Sequence, residues 1–316
     1  MKVYVTQGHE RGIGLEVFFK SILFLNQQAL QQIHFIGFKN SVIETLESLK
    51  IPYQIQDSKI VVANQIIHAI WPNYLNFSQS FTALEVGMNL AKSGGVLYTL
   101  PTSKDQFPGF AGHTEYFRHY FQKPELGMFF SSKNMQILLI TDHVAINQLS
   151  NQITEKRLRH SLLNAIKVLS DWNWPVSRYL ISGLNPHAGE DGLIGNEDYR
   201  ISKTVKRLRD KFKIEITGPY PGDTMYRERS NDNDLLIYLF HDQGLALFKG
   251  LQGLIGSNIT LGLPYPRFSP DHGTSFGLFG KNIADYRGCQ YSLNQALFQL
   301  TRMLNGKNSR HKSKSS

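Results

Sequence analysis

The chain is poor in cysteine. It has one, Cys289, in 316 residues. That excludes an internal disulfide and any zinc site built on thiolates, and it fits a reducing compartment, the cytoplasm. Long apolar runs are missing too. The most apolar early stretch, Val17 to Leu25, is broken by Lys20 and is far shorter than the roughly 20 residues a bilayer span needs. Neither a signal peptide nor a membrane partner is expected. No G-x-G-x-x-G follows a strand-like run, so a dinucleotide is not expected on the Rossmann fingerprint. Basic residues do not alternate with aromatics as a single-strand-binding groove requires, and no nucleic-acid partner is expected.

The net charge is +9, but four cations, Lys307, Arg310, Lys312 and Lys314, lie in the terminal segment. Residues 306–316 are polar and aperiodic and are expected to be disordered. Without those four cations the body carries about +5, an excess suited to small anionic substrates. The rest has the composition of a globular protein, 41% hydrophobic and 19% charged, with length enough for two lobes.

Short apolar runs alternate with amphipathic ones throughout, which predicts a layered α/β protein with a largely parallel sheet. Lys2 to Thr6 reads as a strand, followed by a glycine loop and a helix from about Leu15 to Leu25. Such a loop can place backbone N–H groups near an anion, although it can also exist only to pack helix on strand. Ser41 and Glu44 form a capping box. Ser78 to Ser93 reads as a helix and Val96 to Leu100 as a strand. The segment PTSKDQFPGFAGHTEYF after it is too rich in glycine and proline for a helix. Gln136–Thr141, Tyr179–Ser182, Leu235–Phe240 and Asn258–Leu263 read as strands. Helices are expected over Glu155–Ser170 and Asp198–Lys211, and a last one capped by Ser292. A first lobe of 1–112 plus 256–316 (cofactor side) and a second of 113–255 (metal and dimer side) are expected.

Three histidines share one position. His143, His187 and His241 each come just past a predicted strand, at the edge where open α/β sheets bind ligands. An isolated histidine is more often structural, and His34 and His68, inside strands, are read so. Three imidazoles at strand ends suit a divalent transition metal with open positions for substrate oxygens. Asp142, Asp223 and Asp242 are candidate neighbours, either as partners that fix the imidazole tautomers or as ordinary turn residues. Lys249, Asn258 and Arg267 follow His241. Two cations and an amide suit a phosphate or carboxylate, although such cations are commonly surface charges. His113 and Thr114 sit on a glycine loop as polar donors.

Together these motifs resemble the PdxA family, the 4-hydroxythreonine-4-phosphate dehydrogenases of vitamin B6 biosynthesis. The resemblance rests on GHTE (Gly112–Glu115), GLNPHAGE (Gly183–Glu190), the GP.P.DT pattern of Gly218–Thr224, HDQG (His241–Gly244), NITLGLP and SPDHGT (Asn258–Thr274), and it covers nearly the whole chain. It implies a two-lobed α/β/α fold like that of isocitrate and isopropylmalate dehydrogenases, with non-Rossmann NAD binding and a homodimer sharing its active site. It implies a divalent metal (Zn, Mg or Co) on His143, His187 and His241. It also implies substrate contacts from His113, Thr114, Lys249, Asn258 and Arg267, catalytic roles for Asp242, Asp223 and Lys249, and cofactor contacts at Gly12 and Gly14. The implied reaction oxidises and decarboxylates 4-phosphooxy-L-threonine to 3-amino-2-oxopropyl phosphate. Alternatives are a dehydrogenase of another phosphorylated hydroxy acid, such as 4-phospho-threonate or -erythronate, and a binding homologue without catalysis. Two departures stand out. The family's first loop usually reads GEPAGIGPE, whereas Gly8–Glu16 reads GHERGIGLE. After the Val96 strand, TLPTSK keeps only the family's lysine, Lys104.

Overall fold

The computed structural model describes residues 1–312, with side chains to residue 306. The chain divides into two compact units, 1–124 with 254–259 and 263–316, and 125–253 with 260–262. The expected break near Gly112 therefore falls later, and residues 113–124 fold with the first unit.

The first unit begins with β1 (Lys2–Thr6), α1 (Gly14–Ile22), α2 (Gln27–Leu30), β2 (Ile33–Ile36) and α3 (Lys39–Leu49). It continues with β3 (Tyr53–Gln56), β4 (Lys59–Val62), β5 (Gln65–Ile70), α4 (Gln79–Lys92), β6 (Gly95–Thr99) and α5 (His113–Tyr120). The second unit holds β7 (Gly127–Ser131), β8 (Gln136–Leu139), α6 (Leu149–Gln152), α7 (Glu155–Asp171), β9 (Tyr179–Ser182), α8 (Glu197–Phe212), β10 (Ile216–Tyr220), β11 (Leu235–Tyr238) and α9 (His241–Gln252). Strand β12 (Ser257–Leu261) is divided between the units, and β13 (Arg267–Pro270) and α10 (Arg287–Lys312) return to the first.

In the first unit the strand order is β13-β6-β1-β2-β5-β4-β3. The pairs β13·β6, β6·β1, β1·β2 and β2·β5 are parallel, and β3, β4 and β5 pair antiparallel. In the second unit the order is β10-β9-β11-β8-β7, parallel except for β7·β8. The largely parallel sheet is as expected, and it follows from mostly apolar strands: β6, β8 and β11 are buried along their whole length, as strands covered on both faces must be. The centre of the second unit packs Ile137, Leu139, Leu180, Leu236 and Phe248 together.

Several local expectations change. Ser78 does cap α4, accepting from the Phe81 N–H at 3.0 Å. Ser41 caps nothing: it lies inside α3 and its hydroxyl donates to Gln79 Oε1 at 2.6 Å. Ser292 lies inside α10, which starts at Arg287, and its hydroxyl donates to the Ser269 carbonyl at 2.9 Å. A buried hydroxyl satisfied by tertiary contact looks the same in sequence as a cap. The GHTEYF segment, expected as loop, opens helix α5. The tail, expected as disordered, continues α10 to Lys312, and 313–316 lie outside the described residues.

Candidate active site

The shared position of the three histidines is a property of the sheet. His143 follows β8, His241 follows β11 and His187 follows β9, and β8-β11-β9 are consecutive parallel strands. The three therefore leave one edge of the second unit in the same direction. The His143 and His241 rings come together, with centroids 5.6 Å apart. Asp242 Oδ1 lies 2.7 Å from His241 Nδ1, which leaves Nε2 as the ring atom available to a ligand. Asp242 itself is exposed, and Asp142 is buried beside His143.

His187 does not complete a three-ligand group. Among the described residues no set of three or more His, Cys, Asp or Glu side chains is arranged to hold a metal. The cause is local. Residues 187–191 form a left-handed turn, with φ of 53°, 55°, 83°, 41° and 53°, in which the four non-glycine residues are strained. The His187 side chain is exposed, and its Nδ1 is held by the Glu190 carboxylate, which raises its pKa above the usual imidazole value. Asp223 is exposed and adds a smaller push in the same direction.

The turn is anchored by residues that the sequence did not mark. Asp198, 5% exposed, accepts from the Leu184 N–H (2.7 Å), the Asn185 N–H (3.1 Å) and Asn185 Nδ2 (2.9 Å). Glu197 accepts from Asn185 and from the Ser150 hydroxyl, and these bonds bring its pKa down to about 2. As acids in the first turn of a helix both were visible; their hold on a loop 13 residues upstream was not. A Cβ on Gly183 would lie 2.7 Å from Ala188 Cα, so the GLNPHAGE turn needs glycine there.

Lys249 lies on helix α9, exposed, with Phe248 buried before it.

The first unit holds a second corner. Arg267, on β13, is 4% exposed. Its Nε and Nη2 donate to Thr99 Oγ1 at 3.1 and 2.6 Å, and its guanidinium lies 5.7 Å from the Phe117 ring centre. Burial pushes its pKa down to about 10. His113, at the start of α5, packs against Phe107 (5.1 Å) and Phe117 (6.1 Å). Burial, and then the Arg267 cation, hold its pKa well below the usual value. Arg267 and His113 thus share the Phe117 ring, and a neutral imidazole stands beside a permanent cation. Thr114, half-buried, follows His113 in the first turn of α5. Asn258, on β12, is half-buried, and its carbonyl accepts from Ser269 at 3.4 Å. Thr99 and Phe117 carried no signal in sequence, since each reads as ordinary core.

The loop between β1 and α1, with Gly12 and Gly14, lies on neighbouring segments. The His9 N–H donates to the Pro101 carbonyl (3.0 Å) and the Ile13 N–H to the Thr274 carbonyl (2.9 Å). A Cβ on Gly8 would lie 2.1 Å from Pro101 O, so only glycine fits this approach. The N–H groups of His9, Arg11, Gly12 and Ile13 are thus used within the protein.

The family described as pyridoxal phosphate biosynthetic protein PdxA matches residues 19–296. The chain belongs to the PdxA family. A relative from Sulfurihydrogenibium sp. (strain YO3AOP1), named 4-hydroxythreonine-4-phosphate dehydrogenase, is 32% identical over 90% of this chain and 94% of its own. A relative from Oceanobacillus iheyensis, provisionally named D-threonate 4-phosphate dehydrogenase, is 29% identical over 93% of this chain and 96% of its own. The crystal structure of 4-hydroxythreonine-4-phosphate dehydrogenase from Klebsiella pneumoniae is similar at a TM-score of 0.79 and 26% identity, covering 95% of this chain and 98% of that one. The PdxA assignment and the layered α/β fold are those expected from the motifs, and the oxidoreductase class expected is the one these relatives' names carry. Among the described residues no helix is long and apolar enough to cross a membrane.

Proposed function

We propose that this chain is an NAD-dependent 4-hydroxythreonine-4-phosphate dehydrogenase of vitamin B6 biosynthesis, which oxidises and decarboxylates its substrate. The observation that carries the reading is the corner of buried Arg267 and half-buried His113 in a chain of this family. A guanidinium that is already desolvated and oriented by Thr99 loses little freedom on gripping a phosphate. His113, held neutral, offers or accepts a proton on a hydroxyl without adding charge. Thr114 and Asn258 supply further hydroxyl and amide groups for the substrate's anionic groups, and Lys249, on the second unit, is a further candidate cation.

The donor set of the second unit fits a divalent metal. His143 and His241 are close enough to share one ion, and His241 and His187 each have Nδ1 backed by a carboxylate, as metal-binding imidazoles require. When bound, a Zn, Mg or Co ion would supply Lewis acidity to a substrate hydroxyl and to the enolate left by decarboxylation. Asp242 and Glu190 would fix the ring orientations, and Asp223, beside His187, would balance the positive charge. Exposed apolar side chains at Ile146, before α6, at Leu193 and Ile194, before α8, and at Tyr199 on α8 itself suit a homodimer interface on the second unit.

The test is NADH production from 4-phosphooxy-L-threonine and, in parallel, from 4-phospho-D-threonate, the substrate class suggested by the second relative, with divalent metal present and after chelation. Turnover of the first substrate with the higher kcat/KM supports the proposal. Preference for the second would move the substrate, and no NADH from either would leave a binding homologue. Light scattering after gel filtration reads the dimer, and an active monomer would overturn that part.

A further inference from the structure

The loop between β1 and α1 departs from the family pattern at His9, Glu10 and Arg11, and its structure assigns those departures a chemistry. Four of its N–H groups are used within the protein: His9 to Pro101 O (3.0 Å), Arg11 to His9 Nδ1 (3.0 Å), Gly12 to His9 O (3.0 Å) and Ile13 to Thr274 O (2.9 Å). A phosphate cradle depends on such groups pointing at the ligand. The first turn of α1 carries an acid, Glu16, that already accepts from Lys20 and Ala284. These four N–H groups and the Glu16 carboxylate therefore do not serve a phosphate.

What it presents are acceptors. Glu10 Oε2 and Gln106 Oε1 are buried without a hydrogen-bond partner. Gln106 is 8% exposed, and its Nε2 is spent on Asp105 Oδ2 at 2.9 Å. The His9 ring joins the two sides. Its Nδ1 lies 3.7 Å from Glu10 Oε2 and its Nε2 3.6 Å from Asp105 Oδ2, and its face is closed by Phe276 at 4.8 Å. Because Nδ1 accepts from Arg11, the neutral ring carries its proton on Nε2, toward Asp105. The nearby cations Arg11 and Lys104 are exposed. These residues come from the exit loops of β1, β6 and β13, three neighbouring strands, at the edge where open α/β sheets take ligands. A buried acceptor left unpaired is costly, so the chemistry that fits is a neutral group rich in O–H donors.

We propose that this corner binds a ribose diol of the NAD cofactor, with Glu10 and Gln106 accepting from its hydroxyls, and that Glu10 is a specificity-determining residue of the cofactor site. The proposal rests on the NAD reading above. In the dinucleotide the diol belongs either to the adenosine or to the nicotinamide half, and in the first case Glu10 also disfavours a 2′-phosphate.

The experiment is calorimetric titration of NAD and of NADP into wild type, Glu10→Gln and Gln106→Met, with melting curves recorded without nucleotide. NAD affinity is expected to fall on the order of tenfold in each variant, with Gln106→Met melting close to wild type, because it removes a buried unpaired acceptor and gives up only the Nε2 bond to the exposed Asp105 carboxylate. If the adenosine ribose is bound, Glu10→Gln narrows the preference for NAD over NADP; if the nicotinamide ribose, both nucleotides weaken together. Unchanged NAD affinity in both variants would overturn the proposal while leaving the NAD reading intact. So would a loss of NAD binding in Gln106→Met that comes with a much lower melting point and no loss in Glu10→Gln. A wild type that binds neither dinucleotide would overturn the NAD reading itself.

Discussion

The histidine corner of the second unit and the arginine corner of the first are finished to different degrees. Arg267 is buried, doubly bonded to Thr99 and stacked over Phe117, with His113 packed on the same ring. His187 is exposed, on a left-handed turn, and bonded to Glu190 and not grouped with His143 and His241. The difference follows from what each group needs in the absence of ligand. A guanidinium carries five donors and a flat face, and a hydroxyl and a ring satisfy much of it. Three imidazoles gain nothing by facing one another until a cation sits between them. The arginine corner can therefore be preorganised by the fold, whereas the histidine corner brings two imidazoles together and leaves the third on a short strained turn.

Removing the third proposed ligand is the strongest way to break this comparison. His187→Ala is expected to abolish stoichiometric metal binding and to lower turnover by roughly a thousandfold or more, read by elemental analysis and NADH production. Full metal content in this variant would mean that the second unit binds metal without His187.

On the other side, Arg267→Ala is expected to lower kcat/KM for the phosphorylated substrate on the order of tenfold to a hundredfold, with a dephosphorylated analogue affected far less. Arg267→Lys should recover only part, because Lys lacks the bidentate fork. Equal losses on both substrates would show that Arg267 acts through folding.

The anchor of the left-handed turn gives an effect of similar or smaller size. Asp198→Ala strands the Leu184 and Asn185 N–H groups and is expected to cost about 1–3 kcal/mol of stability. It should also weaken metal binding roughly tenfold to a hundredfold while leaving Arg267-dependent substrate discrimination unchanged. Denaturant unfolding and metal titration measure the two, and unaltered metal affinity would separate the turn from the metal.

The smallest effect is the pH dependence of stability. His113 lies below its ordinary pKa through burial and then Arg267, and His34 is lowered from 6.5 to about 4 through burial and then Lys2. Between the folded and unfolded values the unfolded chain binds more protons, so stability is full above pH 6.5, falls as pH drops through that value, and levels off below the folded pKa, about 4 for His34. His34 is partly exposed, and screening reduces its share to on the order of 1 kcal/mol. Melting curves from pH 7.5 to 4 should show the decline, and His113→Asn should flatten it. An unchanged slope would place His113 in solvent.

The sequence by itself determined the alternation of strand and helix, the parallel sheet, the family, and the shared place of His143, His187 and His241 after three strands. All of these are written in local periodicity and in motifs of contiguous residues. It could not distinguish a serine that caps a helix from one that bonds across the core, as Ser78 differs from Ser41 and Ser292. Nor could it tell that GHTEYF begins a helix. Tertiary structure alone decided that Thr99 and Phe117 orient Arg267, that Asp198 holds the GLNPHAGE turn, and that the glycine loop spends its N–H groups on Pro101 and Thr274. Each of these depends on which partner a polar group finds far along the chain, and a donor's partner is fixed by packing in space and not by its neighbours in sequence.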